Sequence, residues 1–259
     1  MTEGQRLLVK SGDGHRFEEV LEVGEHPMGS HPAHKNLKIK TLNMEFVEGA
    51  RSWGRMILGR WASGHLKGAN LIYTTLNSFR GVIECHGGPW RLDESEVRSA
   101  GGMAIRVLTE GNVTANKCGL GGFSWPISVN SASDAVYMQD DARVRLTECS
   151  LDRTGRLGGC ALYAQDRARA VLVGCNIFQN DHGVGYNDLV TIKMYGCKMR
   201  GNRNEAFYGG IRSLHSKLVL VGNYVDGPTW FRGRLPEFLG LKGLYPGDNI
   251  MGPIPDSRR

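Results

Sequence analysis

The segments AIRVLTEGNVTANKCGL (104–120), AVYMQDDARVRLTECSL (135–151), ALYAQDRARAVLVGCNI (161–177) and GVGYNDLVTIKMYGCKM (183–199) share one internal pattern. In each, a small residue (Ala104, Ala135, Ala161, Gly183) stands 14 positions before a cysteine (Cys118, Cys149, Cys175, Cys197). The steps from one cysteine to the next are 31, 26 and 22 residues. A constant spacing inside a variable step describes one rigid unit joined by loops of changing length. Short repeats of this kind belong to solenoids.

The register extends outward from the cysteines. With the cysteine as slot zero, the slot is followed through Met44, Ala69, Trp90, Cys118, Cys149, Cys175, Cys197 and Asn223. Two residues later stand Phe46, Leu71, Leu92, Leu120, Leu151, Ile177, Met199 and Val225, all apolar. Apolar or small residues also recur five and three positions before the slot, as in Val144 and Leu146 or Ile192 and Met194. Polar residues lie between them. A period of two is that of a strand and not of a helix. The pattern predicts about eight stacked coils, with like residues of successive coils roughly 4.8 Å apart around one continuous interior.

These residues and their spacing resemble the right-handed parallel β-helix of the pectin-lyase-like superfamily. The short repeats are similar to those of F-box only protein 11 and the SHC SH2-domain-binding proteins. The likeness covers roughly residues 36–226. It implies an all-β right-handed solenoid and leaves function open, because that superfamily holds lyases, hydrolases, lectin-like modules and scaffolds. The variable loops exclude the strict hexapeptide period of left-handed β-helices.

At 259 residues the chain suits one repeat domain, and 36 glycines suit recurrent tight turns. Residues 1–35 are expected to cap the open first coil. Within them HRFEEVLEV (15–23) would set Phe17, Val20 and Leu21 on one helical face. Residues 36–226 form the β-helix. Residues 227–259 are a Pro/Gly-rich tail without strand alternation, whose Trp230, Phe231 and Phe238 demand burial against the last coil or a partner. No apolar run reaches membrane-spanning length, and MTEGQRLLVK has no apolar signal core, so an intracellular location is expected.

Inward cysteines behave as small hydrophobes, and their spacing fits no zinc motif; neither a metal nor another cofactor is expected. Before the slot come Gln139-Asp140, Gln165-Asp166 and Asn187-Asp188, read as an amide ladder beside turn-capping carboxylates, with a Ca²⁺ site as the lesser reading. Catalysis is thinly supported. Hydrolases resembling this fold use spaced Asp residues with Gly-His-Gly and Arg-x-Lys elements. Here Asp140-Asp141 lacks both partner motifs, and Asp181-His182 is the other acid–base candidate.

Charge is better patterned. The formal charge is +6, and outward slots place Lys38, Lys40, His65, His86, Arg143, Arg145, Arg169, Lys193 and Lys217 on one face, interrupted by Glu84. Such a stripe would draw an acidic protein surface or an anionic glycan, or serve only to keep the face solvated. Aromatics are not interleaved with it, which argues against nucleic acid. Another face carries Arg106, Tyr137 and Tyr163, and the longest connection projects Phe123 and Trp125 beside it. The whole reads as a non-catalytic scaffold or assembly subunit that binds protein partners. Carbohydrate binding or processing of acidic glycans is the alternative.

Overall fold

The computed structural model describes residues 6–9, 19–23, 34–37, 41–46, 52–53, 55–73, 81–99, 101–122, 134–154, 158–210, 212, 215–226, 229–232 and 250–251. They form three sheets in which every pairing is parallel. Each turn of chain contributes a strand to the first sheet, then to the second, then to the third. One turn runs Arg143–Thr147, Ser150–Asp152 and Cys160–Ala164; the next runs Arg169–Val173, Asn176–Phe178 and His182–Tyr186. About six such turns stack between Ser63 and Gly209, against the eight expected, and further strands extend the sheets at both ends. The class is all-β, a parallel β-helix.

Three corners close each turn, and the backbone marks them. The residue just before the slot is left-handed in seven successive turns: Gly68, Glu94, Lys117, Glu148, Gly174, Gly196 and Gly222, with φ between 51° and 62°. A second corner falls at Arg153, Gln179 and Gly201, and a third at Thr109, Asp140, Asp166 and Asp188, again with positive φ. A left-handed residue redirects the chain within one peptide, so strands of three to six residues can follow one another around a triangular core.

Inside, like stacks on like. Leu66, Leu92, Ala115, Leu146, Leu172 and Met194 form one fully buried column, and Leu71, Val97, Leu120, Leu151, Ile177 and Met199 another. Cys118, Cys149, Cys175 and Cys197 point inward as expected, each at most 2% exposed and free. Each donates its thiol to the carbonyl two residues back, as Cys149 does to Thr147 at 3.3 Å. A thiol is a weak donor, and here it adds a second bond to an oxygen that already accepts a backbone N–H from the preceding turn, as Thr147 does from Lys117 at 2.9 Å.

The first coils depart from the expected register. Trp90 pairs with Gly64 and Val113, five positions before the slot, and Met44 pairs with Leu66, three before it. The slot of the Trp90 turn is Ser95, whose hydroxyl donates to the Asp93 carbonyl at 2.8 Å as the thiols do. His86 and Glu84 therefore lie on the third sheet, and it is Arg91 that neighbours His65. The ends differ too. Glu19–Val23 is a strand of the third sheet, paired with Arg55–Arg60, where a helical face had been expected. Arg6–Val9 pairs with Thr41–Phe46. Thr229–Arg232 and Ile250–Met251 continue the third and second sheets, so the Pro-rich tail still supplies strands. In each case open ladder groups at the end of a sheet outweigh local pattern, because unpaired backbone N–H and C=O groups are costly.

Candidate functional site

On the outer face of the third sheet, register aligns Glu84, Arg106, Tyr137, Tyr163, Gly185 and Tyr208 on successive rungs. The expected trio of Arg106, Tyr137 and Tyr163 is brought together. The Arg106 guanidinium lies 5.8 Å from the Tyr137 ring centroid, and Tyr137 stacks on Tyr163 at 5.9 Å with planes 18° apart. Because the rings stack along the axis, Tyr137 has a neighbour on each face, Arg106 on one and Tyr163 on the other. Tyr137 donates its hydroxyl to Gln139 at 3.1 Å.

Beside this row runs a second one: Asp134, Cys160, His182 and Glu205 on successive turns. The Asp134 carboxylate accepts the Cys160 N–H at 2.7 Å, and burial pushes its pKa up to about 7. His182 Nδ1 lies 2.5 Å from Glu205 Oε2, and its ring stacks on Tyr208 at 5.0 Å. Asp181 accepts from the Gly158 N–H at 2.5 Å and the Asn204 amide at 2.9 Å. Cys160 leans outward over Gly185, where an added Cβ would meet its Sγ at 2.7 Å and the Tyr163 ring at 2.5 Å. Burial pushes the Cys160 thiol up, and Asp134, Asp181 and Glu205 push it further, so it is no thiolate nucleophile at neutral pH. Each carboxylate of this face has a partner within the chain, Glu84 with His86 at 2.8 Å and Arg106 at 3.4 Å.

The first sheet differs. Arg143, Arg145, Arg169, Lys193 and Lys217 project from its outer face, all exposed. Arg143 and Arg169 are neighbours, and Arg145 lies two rungs from Lys193 across Val171. None of the five forms an ion pair among the described residues; the nearby Asp141 is held instead by Arg167 at 2.6 Å. Towards the first turns the same face dips into a shallow depression of about 480 Å³, with Ser63, His65, Arg91, Asn112, Thr114 and Asn116 around it.

The remaining candidates separate. The Asp140 and Asp166 carboxylates accept the backbone N–H groups of Thr109 and Asp140 in the preceding turns, at 3.2 and 3.3 Å. They cap turns, as the first reading had it. Asp140 and Asp141 are thus apart from Asp181 and His182, which belong to the third sheet. The amide ladder is displaced from its expected turn: Asn180 donates to Asn202 at 3.2 Å inside a corner of the second sheet, and Gln139 bonds Tyr137. No group of three or more His, Cys, Asp or Glu side chains among the described residues is arranged to hold a metal. Trp230 and Phe231 lie in the strand Thr229–Arg232. Lys38, Lys40, Phe123 and Trp125 lie outside the described residues.

The family model described as right handed beta helix region matches residues 80–229. The chain belongs to the right-handed β-helix family. That range holds the acid row of the third sheet, the stacked tyrosines and the five cations alike. None of the curated proteins and none of the solved structures compared with this β-helix matches it. Among the described residues no helix is long and apolar enough to cross a membrane.

Proposed function

We propose that this β-helix is a non-catalytic binding scaffold that holds an acidic partner against the outer face of its first sheet. The observation carrying this reading is the group of five exposed, unpaired cations, Arg143, Arg145, Arg169, Lys193 and Lys217, on neighbouring rungs of one rigid sheet. Like charges set about 4.8 Å or 9.6 Å apart repel, and a partner that supplies anions at those positions relieves the repulsion without any rearrangement of the sheet. By contrast, the acids of the third sheet are occupied by partners within the chain, and Tyr137 has Arg106 on one face and Tyr163 on the other. That weakens the alternative of glycan processing there, since a sugar ring stacks on an open aromatic face.

The test is charge reversal. Arg143→Glu, Arg145→Glu and Arg169→Glu together should weaken binding of polyanionic probes, polyglutamate and polygalacturonate among them, by more than tenfold at low salt, while the far-ultraviolet dichroism stays that of the parent. Equal binding by variant and parent would leave these cations only a solvating role.

A further inference from the structure

Resting on that reading, we infer that the acidic partner is a protein, docked through a short amphipathic helix that lies along the solenoid axis on the last turns of the first sheet. The cations there do not stand alone. Val173, Tyr195 and Val221 follow one another on successive rungs of the same outer face, and Val171 and Val219 flank Lys193 in the neighbouring row. Val221 is 40% exposed, and the other four are half-buried. In the preceding turns the first of these rows holds Asp93, Asn116 and Thr147, and the second holds Thr114 and Arg145. Threonine suits a strand as valine does, so strand propensity leaves the change from polar to apolar unexplained. A water-facing patch of valine and tyrosine, rimmed by charge, marks a surface that meets another molecule.

The layout of the patch selects the occupant. Arg143, Arg169, Thr191 and Lys217 form a third row beside the other two. Arg169 and Lys217 each precede a valine of the apolar row by four residues in the same strand, Val173 and Val221. At about 3.3 Å per residue that separation is roughly 13 Å, close to the width of about 10–12 Å of one α-helix with its side chains. A helix brings a side chain back to one side about every 5.4 Å, near the rung repeat of about 4.8 Å. Laid along the axis, it sets one apolar side chain against Val173, Tyr195 and Val221 in turn, while acidic residues on its flank reach Arg169, Lys193 and Lys217. Other occupants fit less well. A second copy meeting this face about a two-fold axis would set cations against cations. A bilayer would meet the long arginine and lysine side chains before the short valines, whose methyls would stay outside the hydrocarbon. A purely polar polyanion leaves the valines and the tyrosine without a partner.

The measurement is fluorescence anisotropy on the full chain with two labelled peptides of equal charge. One is a glutamate-rich helical peptide with a stripe of leucines, and the other carries serine at each leucine position. Mixed phosphatidylserine and phosphatidylcholine vesicles are the third probe. The parent should bind the leucine peptide at least tenfold more tightly than the serine peptide. Val173→Thr, Tyr195→Thr and Val221→Thr together keep strand-forming residues at outward positions. They should erase that preference and leave the affinity for the serine peptide unchanged. Val173→Thr alone should lose a few-fold of the preference, and it carries the test if the triple variant does not fold. Equal binding of both peptides by the parent, or an undiminished preference in the variants, refutes the helix-docking patch while the anion-binding scaffold stands. Vesicle binding that falls with the same substitutions would also overturn it, in favour of a membrane surface. Failure of both peptides to bind the parent would remove both readings.

Discussion

Asp134 sits in an environment at odds with its charge. Its carboxyl is held near the Cys160 N–H on the outer face of the third sheet, and burial raises its pKa from 3.8 to about 7. A carboxyl raised in the folded state binds its proton more tightly there than in the unfolded chain. The stability it lends is therefore complete below about pH 4 and lost as the pH rises through 7. Asp134→Asn keeps the acceptor for the Cys160 N–H and removes the titration. Urea midpoints of parent and variant should thus diverge between pH 4 and 8, the parent weakening with rising pH relative to the variant; parallel curves would count against the burial. Of this row the sequence singled out only His182, beside Asp181. Met103, Asp134, Cys160, His182 and Glu205 share a position but no side-chain type, so no period marks them. The inward cysteines were legible for the opposite reason, since their tight inward column repeats one small side chain in four successive turns.

At the scale of strands, the alternation that reveals the coils says little about how neighbouring strands are adjusted to one another. Trp90 shows this. Its indole lies across Gly59 and Gly64 of the preceding turn, and a Cβ on either glycine would fall within the ring. Gly64→Ala should therefore destabilise the protein by about 1–3 kcal/mol through overpacking, measured by urea unfolding. Trp90→Leu introduced into that variant should recover part of the loss, because the smaller side chain vacates the space the methyl needs. Additive losses in the double variant would show that the two sites are not coupled. A comparable fit occurs on the second sheet, where Gly121 lets Arg98 pass over it to reach Asp152 at 2.5 Å, two rungs away. A sequence pattern registers Trp90 as merely apolar and Gly64 as merely small. The pairing of Trp90 with Gly64 and Val113 sets the slot of that turn at Ser95, and so His65 and His86 fall on different sheets.

Across the whole molecule, two outer faces carry polar chemistry of opposite character. The third sheet is acidic and closed, its carboxylates paired with His182, His86 and Arg106 or hydrogen-bonded to Asn204 and backbone amides. The first sheet is basic and open. The sequence showed Arg143, Arg145, Arg169, Lys193 and Lys217 as one face because strict period two placed them there, and that much of the site was readable. The depression was not, since it arises from short side chains at Ser63, Asn112 and Thr114 beside longer ones, a difference of volume rather than of pattern. The central claim, binding without turnover, is tested most directly by following oligogalacturonate with the parent protein in one vessel, with Ca²⁺ present, for both saturable binding and product. The account predicts saturation that weakens steeply with added salt and no new reducing ends or unsaturated products. Products that form with the parent and vanish with His182→Ala or Glu205→Gln would contradict it, and would move the active chemistry to the third sheet.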